Sequence, residues 1–402
     1  MKLRRTSALH LSHGSIRDDS RVCKIAVAAA NGVVAKVCVV GVRSRAGQAA
    51  PGRHEPHDID EISLWTGVFR GLVPRLAAYA GLVELTVRLA FRGVCMRPSI
   101  VHCHDYVVLP AGWLVSMLVG SSIIYDAHEL ESERNGMSLR ASRLCLFIER
   151  WCWRRVSLLV SVSAPILEWY ASNLGPKRSV LVLNAPVLPL PSEGDTEGSR
   201  RSLGHQKYFH RRFNIPAEAP VFIYLGYLMR GRGIERVLDV FRRPGLCSHV
   251  VFMGNGDAVG VADHAKQFPR IHHHSAVPHD QVVKLVREAD CGLCLIEDVS
   301  LSDRLCLPNK LFEYAFAGVP VLASRLPEIA RMVEEFRLGI CCDNDADSIE
   351  AAVRRIEREG IVAPSGDLTE LSWETQAKRL QEAYRVLLAG REWVAVDQDG
   401  ER

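Results

Sequence analysis

The sequence predicts an α/β chain built from two doubly wound parallel-sheet domains, and three observations carry that prediction. At 402 residues the chain is too long for one ordinary core. Short apolar runs alternate with helical stretches along both halves. A stretch rich in Pro, Gly and Ser, "LNAPVLPLPSEGDTEGSRRSLGHQ", separates the two halves.

In the first half, "SALHLSHGS" reads as a strand closing in a Gly-containing turn. "RVCKIAVAAANG" reads as a helix stopped by Asn31-Gly32. "AKVCVVGV" is the next strand, an apolar run of the kind buried on both faces of a parallel sheet. "PSIVHCHD", "GSSIIYDAHE" and "VSLLVSVSA" repeat that pattern, each followed by a helical segment. The second half begins afresh with "PVFIYLGYL", "HVVFMGNGD", "RIHHHSAV", "CGLCLIED" and "GVPVLAS". The expected boundaries are a first domain at 1–183, a linker at 184–218 and a second domain at 219–371. A closing helix at 372–391 is expected to pack back toward the first domain, with a tail at 392–402. Two such sheets in tandem place a cleft between the C-terminal ends of their strands, where ligands bind in open α/β sheets.

Composition is that of a globular protein, 48% hydrophobic and 24% charged. The twelve cysteines are scattered, and no secretory signal opens the sequence, so reduced thiols in a cytosolic chain are expected. The longest uncharged run, Tyr106 to Tyr125, holds Pro110, Gly112 and Gly120 and divides into a helix and a short strand. Residues 1–183 carry 23 Lys/Arg against 14 Asp/Glu, and residues 184–402 carry 27 against 32. A basic first half suits an anionic partner, or is simply solvated charge. Residues 67–97 are helical in pattern, with Arg70, Arg75, Arg88, Arg92 and Arg97 among apolar residues. Such a segment lies on an anionic bilayer or forms core helices with a basic outer face.

The most informative segment is "LPNKLFEYAFAGVPVLAS", Leu307 to Ser324. A polar loop with Pro308, Asn309 and Lys310 enters a helix carrying Glu313 in its first turns. Unpaired amides at a helix start, with the helix dipole, form a diphosphate site. Glu313 is placed to accept hydrogen bonds from ribose hydroxyls, or is an ordinary solvated Glu. Gly14 follows a strand in a turn where a small residue admits close backbone approach, or where the chain merely turns. His102 and His104 in "HCHD", and His272-His273-His274, have metal-like spacing without a matching Cys or carboxylate pattern, so no metal site is expected. Cys291 and Cys294 read as core.

These segments resemble the family 4 retaining glycosyltransferases, which have the GT-B architecture of two Rossmann-like domains facing each other across a cleft. "LPNKLFEYAFAGVPVLAS" is similar to the family's donor-binding motif. The resemblance implies that Glu313 binds the ribose and that the backbone at Leu311 and Phe312 faces the diphosphate, with Asn309 among the donor-binding residues. "YLGYLMRGRGIERVLDVF" resembles the phosphate-binding loop, with Arg232 where a phosphate-binding cation stands. "HGSIRDDSRVCKIA", "PSIVHCHDYVVLPAG", "IIYDAHELESE" and "VSVSAPI" are similar to their counterparts in the first domain, which implies Gly14 at the donor and His128 as the active-site histidine. Arg232 and then Lys310 are the cations expected to stabilise the leaving diphosphate as an oxocarbenium-like sugar departs. Each also has a plain reading, as a surface Arg, a helix-capping Lys or a satisfied buried His.

The resemblance implies a retaining, hexosyltransferase-like enzyme that uses a nucleotide diphosphate-sugar donor, with no other cofactor and no metal. Its acceptor is expected to be a glycolipid or surface polysaccharide at the cytoplasmic face of a membrane, with peripheral contact to anionic lipid and no nucleic acid. Two positions depart from the family pattern: Leu305, where many relatives carry a second Glu, and Tyr227, where an Arg is frequent. The alternatives are a non-catalytic subunit supporting a partner transferase and a nucleotide-sugar epimerase on the same fold.

Overall fold

The apolar runs become two parallel sheets. The computed structural model describes residues 6–16, 19–43, 58–66, 74–188 and 207–390. The chain divides into a first unit, residues 1–183 with 374–402, and a second unit, residues 184–373. Most of the Pro- and Ser-rich stretch and the expected tail at 392–402 lie outside the described residues.

The first unit runs β1 (Ser7–Leu11), α1 (Ser20–Ala30), β2 (Lys36–Val42), β3 (Ile59–Ile62), α2 (Pro74–Met96), β4 (Ile100–His104), α3 (Leu109–Val119) and β5 (Ser122–Ala127). It continues through α4 (Leu139–Trp153), β6 (Val156–Ser161), α5 (Ala164–Leu174) and β7 (Ser179–Leu181). The sheet order is β3-β2-β1-β4-β5-β6-β7, with every pairing parallel. β4 is buried along its whole length, as expected of a strand covered on both faces. The Asp19 carboxylate caps α1 by accepting from the amides of Arg21 and Val22. α3 ends at Gly120, whose φ of 77° only glycine adopts without strain. The uncharged run 106–125 thus divides into α3 and most of β5, and no described helix is long and apolar enough to cross a membrane.

The second unit opens with α6 (Tyr208–Phe213), inside the stretch read from sequence as linker. It is held there by Lys207, which pairs with Asp290, and by the Tyr208 amide, which donates to Glu288 at 2.8 Å. Then follow β8 (Val221–Leu225), α7 (Ile234–Arg242), β9 (His249–Met253), α8 (Val261–Gln267), β10 (Ile271–His274), α9 (His279–Val286) and β11 (Cys291–Cys294). The unit ends with α10 (Leu301–Leu305), α11 (Asn309–Ala317), β12 (Val321–Ser324), α12 (Pro327–Glu335), β13 (Gly339–Cys342) and α13 (Ala346–Glu359). Its sheet order is β10-β9-β8-β11-β12-β13, again parallel throughout. Cys291 and Cys294 are buried free thiols in β11.

The last helix, α14 (Trp373–Ala389), returns to the first unit. Gln376 accepts from the Leu183 amide at 3.1 Å, and Gln381 donates to the Ala28 carbonyl at 2.9 Å. In each sheet the strand order reverses once, between β1 and β4 and between β8 and β11. Those two switch points are where such sheets bind ligands.

Candidate active site

At the first switch point, strand register assembles a cluster of polar side chains. Residues 102 and 104 share one face of β4 because side chains alternate along a strand. His10 pairs with His102 across β1 and β4, and Asp126 pairs with His104 across β4 and β5. Arg21, from the first turn of α1, grips Asp126 with two bonds, Nε to Oδ2 at 3.1 Å and Nη2 to Oδ1 at 2.7 Å. Its third contact, Nη1, reaches the Val182 carbonyl at 2.9 Å. His104 Nδ1 and His128 Nε2 each lie 3.2 Å from Asp126 Oδ2, and His104 Nε2 lies 3.0 Å from His10 Nδ1. Tyr384 of α14 closes the network with its hydroxyl 2.6 Å from His102 Nδ1.

Only one member of the cluster reaches solvent: His128 is 24% exposed, while Asp126 and His102 are fully buried. Burial opposes the Asp126 carboxylate, but the Arg21 charge foremost, then His128 and the His102 and His104 hydrogen bonds, holds its pKa well below the ordinary value. Burial lowers His10 and His104 and pushes His102 down to about 3, so these rings are neutral. Burial also opposes a charged His128, yet the Asp126 charge and hydrogen bond outweigh it and raise the pKa. The solvent-facing imidazole is therefore the one ring of the cluster whose charged form the Asp126 carboxylate favours.

The ligand atoms of His10, His102 and His104 lie within 4.8 Å of one another, as do those of His104, Asp126 and His128, so either triad could hold a metal ion. His102 and His104 stack with planes 9° apart, and His10 stacks on both, while the His10–His104 bond occupies the nitrogens that face each other. In β10, His272 stacks on Phe213 and lies 2.9 Å from His249, and His274 lies 2.9 Å from the Tyr208 hydroxyl. Those histidines dock α6.

Gly14 sits just past β1 at this switch point, with its carbonyl accepting from Val42 at 3.0 Å. A Cβ built there meets nothing within 4 Å, so the protein's own packing does not require glycine.

At the second switch point, β8 runs into Gly226, whose φ of 122° is open to glycine alone. Lys310, the second residue of α11, is buried against this loop. Its ammonium lies 3.7 Å from the centre of the Tyr224 ring and has no hydrogen-bond partner among the described residues. Asn309 is exposed at the helix start, Leu311 and Phe312 bury their side chains, and Glu313 is half-buried one turn on. Leu311 and Phe312 thus offer a ligand only backbone, and the Leu311 amide already reaches the Pro308 carbonyl at 3.1 Å. Helix geometry leaves the amides of Asn309 and Lys310 unpaired.

Arg232 lies in the same loop, 26% exposed, with Nη1 3.4 Å from Asp303 Oδ1. Asp303 is fixed by Ser300, whose hydroxyl donates to Oδ2 at 2.8 Å. At the N-cap of α7, the Gly233 amide donates to Glu297 at 3.3 Å. Behind α11, the Tyr314 hydroxyl donates to the carbonyls of Ile223 and Leu293 and accepts from the Leu225 amide, all within 3.1 Å. This tether fixes the helix to β8 and β11.

Residues 21–186 match the family described as "Glycosyl transferase 4-like domain", and residues 219–359 match "Glycosyl transferases group 1". The chain thus carries a glycosyl transferase 4-like domain followed by a glycosyl transferases group 1 domain. A D-inositol 3-phosphate glycosyltransferase of Segniliparus rotundus is 25% identical over 330 residues, covering 73% of this chain and 67% of that protein. The fold of this glycosyltransferase is that of sucrose-phosphate synthase from Thermosynechococcus elongatus, with a TM-score of 0.66 at 15% identity over 96% of this chain and 94% of that one. Anabaena Alr3699/HepE in complex with UDP and glucose gives 0.61 at 12% identity over 96% and 95%. Within this glycosyltransferase, Leu305 closes α10 two residues after Asp303, and Tyr227 stands exposed beside Gly226.

Sequence reasoning missed Arg21, Asp126, His10 and Tyr384 as parts of the histidine site. The alternation in "HCHD" was the available signal. Its partners became visible only once strand order set β1 and β5 on either side of β4.

Proposed function

We propose that this glycosyltransferase transfers a sugar from a nucleotide diphosphate-sugar, with retention of anomeric configuration, to a glycolipid or growing surface polysaccharide at the cytoplasmic face of a membrane. The observation that carries the donor assignment is Lys310. A buried ammonium without a hydrogen-bond partner, beside a glycine loop and a helix start, is costly unless an anion completes it.

In this reading Glu313 accepts hydrogen bonds from the ribose hydroxyls, and the first amides of α11 meet the diphosphate. Lys310 and Arg232 supply positive charge where negative charge grows as the sugar–phosphate bond breaks, an interaction stronger in the transition state than in the bound donor. Arg232 exchanges its long contact with Asp303 for a phosphate oxygen. The reading needs no divalent metal, because these cations and dipoles supply its charge. His128 donates Nε2–H to Asp126 and offers Nδ1 to a sugar hydroxyl, a proton placement assigned from the carboxylate partner. The basic first half supports an anionic acceptor, and the name of the Segniliparus rotundus relative likewise contains a phosphate ester.

The test is a thermal-shift and calorimetric screen with UDP, GDP, ADP and their glucose conjugates. One nucleotide should stabilise the wild type, and Lys310→Met should weaken it about tenfold or more. If no nucleotide stabilises the protein, or the variant binds equally well, the donor site lies elsewhere.

A further inference from the structure

α2, α3 and α4 pack side by side on the first unit. Their outer surfaces are apolar where solvent-facing helices are ordinarily polar. On α2, Leu85 and Leu89 face inward, yet Tyr79, Val83, Val87 and Phe91 recur every four residues on the outside, each more than half exposed. α3 contains no charged residue, and its Leu118 is 65% exposed. On α4, Phe147 is 65% exposed and Trp151 is 48% exposed. Scattered apolar residues on a surface are ordinary, but large apolar side chains exposed on three helices that pack side by side mark a binding face.

The charges around this band select its partner. Arg140, Arg143, Arg150 and Arg154 are exposed on or just beyond α4. The one carboxylate of that helix, Glu149, is turned inward and accepts from Tyr125 at 2.7 Å and Tyr170 at 2.5 Å. On α2, Glu84 is engaged by the amides of Trp65 and Thr66 and by Arg88, and Arg92 pairs with Asp60 at 3.3 Å. Trp151 stacks on Trp113 of α3 at 4.3 Å, and Arg155 lies over Trp113 at 5.9 Å. Apolar side chains bordered by tryptophan and arginine are what the boundary between lipid headgroups and acyl chains accepts. A protein partner of matching chemistry would need its own acidic rim, whereas an anionic bilayer supplies negative headgroups and an apolar interior together.

We propose that the outer face of α2, α3 and α4 docks the enzyme on an anionic lipid bilayer. The proposal rests on the membrane-borne acceptor proposed above and identifies the surface that reaches it. The full chain is sedimented with phosphatidylglycerol–phosphatidylcholine vesicles and with pure phosphatidylcholine vesicles. Wild type should pellet with the anionic vesicles and be partly released by salt. Phe91→Ser with Phe147→Ser should lower that partitioning about tenfold or more. Arg143→Glu with Arg150→Glu should lower it and flatten its salt dependence. Both variants should keep the wild-type stabilisation by nucleotide, which shows an intact fold and keeps the donor assignment separate from the docking assignment. Wild type remaining in the supernatant overturns the proposal, as does an apolar variant that pellets like wild type. A solution dimer that the apolar variant dissolves also overturns it, because the face then joins two copies of this chain.

Discussion

Asp126→Asn removes one charge from the centre of the histidine network and leaves Arg21 buried opposite a neutral amide. Arg21 has a side-chain exposure of 3% and Asp126 of 0%, so neither charge has water to fall back on. Breaking a buried pair by removing one partner costs about 3–5 kcal/mol. Asparagine keeps one acceptor, so the low end applies, about 3 kcal/mol. With a urea dependence of about 2 kcal/mol/M, the midpoint of the first unit should fall by about 1.5 M. Five tryptophans, at 65, 113, 151, 153 and 169, lie among the described residues of that unit, against Trp373 in the second, so tryptophan fluorescence follows it.

The same change alters titration. Asp126 is depressed below its unfolded value, so its contribution is present above about pH 4 and is lost as pH falls through the folded value. His128 is raised, so its contribution is complete below about pH 6.5 and is lost as pH rises through the folded value. The gap between wild type and variant should be widest from about pH 4 to 6.5, smaller above that range and absent in strong acid. In the variant, burial remains and the carboxylate does not, so His128 should titrate below its ordinary value rather than above it, read by NMR of the imidazole nitrogens. A midpoint shift under about 0.3 M, or an unchanged His128 titration, refutes the reasoning.

Three further outcomes are expected. Glu313→Gln should weaken binding of the stabilising nucleotide about tenfold in calorimetry, because a neutral amide replaces charge-assisted bonds; equal affinity removes Glu313 from the site. Arg232→Ala should lower turnover at saturating donor by about a hundredfold with a smaller loss of affinity, and Arg232→Lys should recover part of it; unchanged turnover in the Ala variant refutes the clamp. Burial pushes Glu149 from 4.5 up to about 7, so stability of the first unit should decline as pH rises from 4.5 through 7; Glu149→Gln should flatten that decline in urea titrations, and an identical pH profile refutes it.

The strands were legible because runs such as β8 are apolar throughout, and α11 was legible because Pro308 and Gly318 bracket it. Glu313 and Lys310 could be singled out for the same reason: a helix start after a strand announces its polar residues locally. The histidine network could not be read this way. His10 meets His104 across 94 positions and Tyr384 meets His102 across 282, contacts that depend on sheet order and on the return of α14. α6 escaped notice because six residues, three of them basic, show too little periodicity to separate from a polar linker.

The return of α14 has a consequence for the order of events during synthesis. The seventh strand of the first unit is complete at Leu181, but the helix that buries Gln376, Leu380 and Tyr384 follows the 190 residues of the second unit. At ordinary elongation rates that interval is roughly 10–40 s. Throughout it the nascent first unit presents a sheet with its histidines uncapped, while the second unit has every element of its own core in hand. Ribosomes that stop shortly before the last helix would therefore release chains whose damage lies in the half translated first.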